Sequence, residues 1–312
     1  MIPSDQPHLG MIALSHPGER RSSNEDRYRT AHYTTSGSQP QPVIFAAVAD
    51  GIGGHQAGEV AAELTVDNML AEVAASNGAR PLETLKKGVL RAWSHVHQQS
   101  EQLAQYEGMG STVAAVMVIS SRLYTVTVGD SRIYLLHDGQ LRQISIDHTW
   151  VQEALDHAII THEEARNHPN AHVLRRHIGG GKAPEPDFRL VLNAGESDRS
   201  ALNNQGYVLT PGDQVLLCSD GLTDLLSGQE IQTALTERPP QDAVRFLLDT
   251  ACSRGGHDNV TILLLTAPDT LVTADFKIAR FLLMSFFSVL LLLLITGLAL
   301  ALGWWFGIWP WM

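Results

Sequence analysis

Residues 43–55 read VIFAAVADGIGGH, an apolar run from Val43 to Ala49 that stops at Asp50-Gly51 and is followed by Gly53 and Gly54. Val, Ile, Phe and Ala in so short a run predict a buried strand. An aspartate at its tip is costly unless a cation or another partner meets its charge. The glycines let the backbone turn sharply and approach a ligand closely. Taken alone, Asp-Gly is equally a common turn dipeptide. Other stretches separate the two readings. Val126–Arg132 reads VTVGDSR, Leu216–Leu222 reads LLCSDGL, Gly256–Thr261 reads GHDNVT, and Asn24-Glu25-Asp26 lies between two strand-like stretches. Carboxylates therefore recur beside strand ends, which no turn requires. Gathered together they repel one another and stay ionised only around bound cations. An all-oxygen donor set favours magnesium or manganese over zinc.

Outward from this stretch, strands are expected at His8–Leu14 and Tyr28–Tyr33, with a polar, proline-bearing connection over Thr34–Pro42. Apolar residues at helical spacing predict a helix over Glu59–Ala75, stopped by Ser76-Asn77-Gly78. A second helix is expected from Pro81 to about Gln105, with proline in its first turn. Ser111–Ile119, Leu123–Val128 and Ile133–His137 then read as an antiparallel meander with tight turns. Asp147–Asn193 is the least regular part, with short helices at Thr149–Ala158 and Thr161–Asn167, and it reads as a mobile, solvated flap. It holds six histidines, but His162-Glu163-Glu164-Ala165-Arg166 fails the zinc-binding HExxH pattern at its fifth residue. Asn193–Gly206 reads as a loop, Asp213–Ser219 as a buried strand, Ser227–Leu235 and Gln241–Ala251 as helices, and Val260–Thr266 as a last strand. Strands, helices, then strands again is an α+β order, not a doubly wound βαβ pattern.

The net charge of −11 and a pI near 5.6 argue against a nucleic-acid-binding body, so no nucleic-acid partner is expected. Only two cysteines are present, Cys218 and Cys252. Neither lies in a CxxC, and both read as small core residues in a reducing compartment. Phe281–Gly303 carries no charge and is rich in Leu and Phe. As a helix it would exceed the roughly 30 Å hydrocarbon layer. Lys277 and Arg280 precede it, and Trp304, Trp305, Trp309 and Trp311 follow it like an interfacial belt. The expected organisation is a body over 1–266, a linker over 267–280, a transmembrane helix over 281–303 and an aromatic-rich tail over 304–312. The basic flank favours a body in the cytoplasm, and a single-pass anchor in the cytoplasmic membrane is expected. MIPSDQPHLGM has no basic and apolar leader pattern, so no signal peptide is expected.

Carboxylates on several strand tips can hold two divalent cations about 3.5–4 Å apart, which activate a water and neutralise a transferring phosphoryl group. Arg21 adds a planar donor fork suited to phosphate. RSSNED (Arg21–Asp26), ADGIGGH (Ala49–His55), GMGST (Gly108–Thr112), VGDSR (Val128–Arg132), DHT (Asp147–Thr149), SDGL (Ser219–Leu222) and DNVT (Asp258–Thr261) follow one another in that order. This series resembles the motifs of the metal-dependent (PPM, type 2C) serine/threonine protein phosphatases, and the bacterial branch most of all. The resemblance covers about His8 to Thr266.

That resemblance implies an αββα sandwich: four layers, two antiparallel sheets face to face with helices outside. It implies two or three Mn²⁺ or Mg²⁺ ions. Asp50 would bridge two of them, the Gly51 carbonyl would complete one, and Asp220 and Asp258 the other. Glu25 and Asp26 would act through metal-held waters, Asp130 with Asp220 would take a third ion, and Arg21 would bind the substrate phosphate. Asn259 would orient Asp258. The implied reaction is in-line attack of water on phosphoserine or phosphothreonine in proteins, without a phosphoenzyme. Phosphoproteins and a cognate Ser/Thr kinase are the implied partners. Animal members often carry His directly after Asp-Gly. Ile52 stands there in this chain, with His55 three residues on, so no general acid is assigned. The competing reading is a pseudophosphatase that binds phosphoproteins without turnover. Such members typically lose metal aspartates, and all four direct metal positions are kept here.

Overall fold

Every strand pairing in the computed structural model is antiparallel, and the strands form two main sheets. The structure describes residues 1–53, 56–165 and 168–269. His55, most of the expected linker 267–280, the expected membrane segment 281–303 and the tail 304–312 lie outside them. Among the described residues no helix is long and apolar enough to cross a membrane.

One sheet runs, in spatial order, Ile2–Pro3, Arg27–Thr34, Pro42–Ala49, Val113–Ile119, Arg122–Val128 and Tyr207–Val208. The other runs Gln140–Gln143, Arg132–His137, Gln214–Cys218, Val260–Thr266 and Gly10–His16. Strand Pro42–Ala49 is central, with Val48 opposite Tyr28 on one side and opposite Ala114 on the other. That position explains its composition.

Side chains alternate across a strand, and here both faces of both sheets are covered. Val43, Phe45, Ala47 and Ala49 pack outward with Val66, Met69, Leu85 and Val89 of the helices Gln56–Ala75 and Pro81–Gln102. Ile44, Ala46 and Val48 pack inward with Ile133, Val215, Leu217, Leu263 and Leu265 of the facing sheet. On the far side Leu216, Cys218, Ile262 and Leu264 meet Ile231, Ala234, Val244 and Leu247 of the helices Gly228–Glu237 and Pro240–Ser253. Three apolar layers between four tiers of structure give the αββα sandwich. They also give antiparallel strands the continuous apolar sequence more usual in parallel sheets.

Two expectations need correction. Asn193–Gly206 is not all loop: Asp198–Asn203 is a short helix, with the Ser197 hydroxyl accepting from the Ser200 amide. The stretch 147–193 is not loose throughout. His148, Ala154, Ile178, Asp187 and Leu190 are buried. Single bridges tie Ile178 to Ser111, Asp187 to Thr127 and Leu174 to Thr149. The His148 ring contacts Asp187 at 3.1 Å, and Arg189 grips the same carboxylate at 2.5 Å. Those two contacts hold the Asp187 carboxyl below the usual carboxylate range against the cost of its burial.

Candidate active site

The strand ends converge as their sequence implies. Arg21, Glu25, Asp50, Gly51, Thr112, Asp130, His172, Asp220, Asp258 and Asn259 line one cleft of about 350 Å³, with Ile52, Gly53 and Leu174. Asp50 ends the central strand of one sheet. Asp220 follows Gln214–Cys218 and opens a single helical turn, Asp220–Thr223, while Asp258 precedes Val260–Thr266. Asp130 sits in the turn between Arg122–Val128 and Arg132–His137. The site lies where the two sheets meet at one end of the sandwich.

Hydrogen bonds fix the acidic tips. The Asp50 amide donates to Thr112 Oγ1 at 3.0 Å. Its carbonyl accepts from the Thr112 amide at 2.9 Å and from the Ser111 hydroxyl at 3.1 Å. The Ser219 hydroxyl donates to Asp26 at 2.6 Å and accepts from the Thr261 amide at 3.0 Å. Asn259 accepts from the Glu25 amide at 2.7 Å and donates to the carbonyls of Pro17 and Ser23, each at 2.9 Å. Its side chain therefore anchors the loop that carries Glu25, and only its amide reaches Asp258, at 2.8 Å. The Arg21 guanidinium pairs with Asp258 at 2.6 Å.

Two close approaches depend on glycine. A Cβ on Gly51 would lie 2.2 Å from the Gly58 carbonyl oxygen. A Cβ on Gly58 would lie 2.1 Å from Glu25 Oε2 and 2.9 Å from the Gly51 carbonyl carbon. The helix Gln56–Ala75 can thus start against the Asp-Gly turn only because both positions lack side chains.

The carboxylates are electrostatically frustrated. Burial, then the charges of Asp26, Asp220, Asp130 and Asp258, push the Asp50 carboxyl well above its ordinary range. Asp26 is pushed up to about 7, first by burial, with Ser219 opposing. Asp130 is pushed up to about 8 by burial and by Asp220, and Asp220 is raised by burial and by Asp258. One oxygen of Asp26 and one of Asp220 are buried without a hydrogen-bond partner. A buried oxygen with no donor, among mutually repelling carboxylates, is what a cation site looks like. The carboxylates and the Gly51 carbonyl offer oxygen donors, which fit Mg²⁺ or Mn²⁺, and the exposed His172 ring adds a nitrogen donor at the cleft edge.

The protein phosphatase 2C family pattern matches residues 19–254. The chain belongs to the protein phosphatase 2C family. It is 31% identical over 264 residues to the protein phosphatase PhpP of Streptococcus pneumoniae, covering 81% of this chain and 95% of PhpP. It is 37% identical over 223 residues to the serine/threonine protein phosphatase PstP of Mycobacterium tuberculosis, covering 72% of this chain and 40% of PstP. A crystal structure of the Mycobacterium tuberculosis phosphatase superposes with a TM-score of 0.69 at 34% identity, covering 83% of this chain and 99% of that one. A PstP catalytic-domain structure with two manganese ions superposes with a TM-score of 0.65 at 33% identity, covering 83% and 97%. This type 2C chain is therefore a serine/threonine protein phosphatase of bacterial type, and enzymes of that type use two Mn²⁺ or Mg²⁺ ions.

All the expected site residues except Asp26 line the cleft of this type 2C chain; Asp26 is 2% exposed and is held by the Ser219 hydroxyl. Sequence reasoning missed three contributors. Thr112 holds Asp50 through side-chain contacts that only the fold creates. Gly58 stood just outside the helix expected over Glu59–Ala75, and only the observed start at Gln56 puts it inside the first turn, against Gly51. His172 belongs to the stretch expected to be solvated, yet its ring sits 3.9 Å from Asp220 and 3.6 Å from Asp224 at the cleft edge.

Proposed function

We propose that this protein hydrolyses phosphoserine and phosphothreonine in proteins by attack of water, at a metal pair held by Asp50, the Gly51 carbonyl, Asp220 and Asp258. The observation that carries the reading is the convergence of these groups with Arg21 in one cleft, where burial and then neighbouring charge raise the carboxyls of Asp50 and Asp220. The bound cations would polarise the phosphoryl oxygens and acidify the attacking water. The chain's own groups do the rest. Glu25, on the loop anchored by Asn259, and Asp26, held by Ser219, would orient water about the cations. Asp130 with Asp220 would take a third ion. The Arg21 fork would take the substrate phosphate. It lies on Asp258 in an exposed pair of the kind worth about 0–1 kcal/mol, so a cation on Asp258 would release it cheaply.

The apolar segment 281–303, with its basic and tryptophan flanks, would tether this body to the cytoplasmic membrane by a single pass. There it would oppose a Ser/Thr kinase acting on the same phosphoproteins. The test is phosphate release from a phosphothreonine peptide by the full chain in detergent, with EDTA and then with added Mn²⁺ or Mg²⁺. Activity should vanish with chelator, return with metal, and be absent from Asp50→Asn under all conditions. A folded chain that releases no phosphate with any metal would overturn the catalytic reading in favour of phosphoprotein binding.

A further inference from the structure

We propose that His16, Glu19 and Cys252 form a second metal site, of mixed nitrogen, oxygen and sulfur donors, for a transition ion of the Zn²⁺ class. A ring nitrogen, a carboxylate oxygen and the thiol sulfur of these residues lie within 4.8 Å of one another. None of the three lines the acidic cleft. Cys252 is half-buried in the last turn of the helix Pro240–Ser253, so the expectation that both cysteines are core residues holds for Cys218 alone.

One ligand pair already has the spacing of a bound ion, and the exposed Glu19 carboxylate lies within 4.8 Å of both. Tetrahedral zinc, with bonds of about 2.0–2.3 Å, sets its ligand atoms roughly 3.3–3.8 Å apart. Cys252 Sγ lies 3.4 Å from His16 Nδ1. The Gly18 amide also donates to Nδ1, at 3.0 Å, and the ion would take its place on that lone pair. The backbone holds the third ligand near. The Glu19 amide donates to the Gly256 carbonyl at 2.8 Å. Gly18 and Gly256 allow this approach, since a Cβ on Gly18 would lie 2.2 Å from the Asp258 carbonyl oxygen.

The chemistry separates this site from the cleft. A thiolate beside an imidazole selects zinc-like ions, whereas the described residues of the cleft offer no sulfur and mainly carboxylate oxygen, with His172 at the edge. Burial, then the charge of Glu19, raises the Cys252 thiol above its ordinary range, so the sulfur is a neutral thiol until an ion displaces its proton to solvent. Glu19 and the thiolate together would balance a divalent charge. An ion here would clasp the turn that leads to Arg21 against the turn that leads to Asp258.

The test uses the full chain in detergent, saturated with Mn²⁺ and titrated with Co²⁺ as an optical stand-in for Zn²⁺. One equivalent should produce a sulfur-to-cobalt charge-transfer band in the near ultraviolet, which Zn²⁺ then removes. Cys252→Ser should abolish the band and Glu19→Gln should weaken Co²⁺ binding about tenfold or more, both with Mn²⁺-dependent phosphate release retained. In the unaltered protein, one equivalent of Zn²⁺ should block alkylation of Cys252. Absence of the band, a band that survives Cys252→Ser, or alkylation indifferent to Zn²⁺ would each overturn the proposal. Among the described residues no cysteine lines the cleft, so it gives no sulfur band whichever ion fills it, and this result is independent of the phosphatase reading.

Discussion

Arg21 and Gly58 show how differently single residues serve one cleft. Arg21 is half-exposed, rests on Asp258, and carries no packing that the fold needs. Arg21→Ala should leave the melting temperature unchanged and raise KM for a phosphopeptide by about 10- to 100-fold, the worth of a charged hydrogen bond pair. Steady-state kinetics check this: an unchanged KM with a lowered kcat would mean that the guanidinium acts only in the transition state. Gly58 touches no substrate, yet a methyl group there would collide with Glu25 and with the Gly51 backbone. Glu25 can swing away, but the Gly51 peptide, whose carbonyl is a proposed ligand, cannot. Gly58→Ala is expected to weaken Mn²⁺ binding at least tenfold while the far-side layer of Leu216, Ile231 and Val244 stays intact. A Mn²⁺ titration followed by activity, beside a circular dichroism spectrum, would separate that outcome from global unfolding.

At the scale of elements, the strand Pro42–Ala49 does two jobs, since it divides two apolar layers and aims Asp50. Phe45 is fully buried among the residues of the helix-facing layer, and Phe45→Ala should cost about 3–5 kcal/mol in chemical denaturation. The helix Gly228–Glu237 offers a milder case. Ser227 and Glu230 form a reciprocal capping box, and Ser227→Ala should cost about 1 kcal/mol without altering catalysis. Both elements were legible from sequence, because apolar runs bounded by Asp-Gly and a serine followed by glutamate at the third position are local signals. The acidic tips were legible for the same reason, each being the end of such a run. What stayed hidden depends on long-range contact. His148 and Asp187 are far apart in the chain, and only their meeting turns a polar, irregular stretch into a pinned one. His172 reaches the cleft because Thr149 and Leu174 pair, and no residue near it announces that bridge. The helix Asp198–Asn203 is too short for a periodic signal.

For the whole molecule, the acidic site makes stability depend on metal and pH together. Asp26 and Asp130 hold protons in the metal-free fold up to about 7 and about 8, whereas carboxyls in the unfolded chain lose them near 4. The native state therefore binds more protons than the unfolded state between those limits. Its stabilisation by these groups is complete below about 4 and is lost as pH rises through about 7 to 8. Each tenfold change in proton affinity is about 1.4 kcal/mol, so the metal-free protein should melt roughly 5 °C or more lower at pH 8.5 than at pH 5. Metal inverts the trend. An ion must displace those protons, so Mn²⁺ binds weakly at pH 5 and tightly at pH 8, and its binding free energy adds to folding. Melting curves of the full chain in detergent, with EDTA and with saturating Mn²⁺, should diverge steadily as pH rises. The gap should close in Asp50→Asn, which removes the central charge. Metal-free curves that are flat or rise between pH 5 and 8.5 would mean that water already solvates the cluster and that the carboxyls are not frustrated.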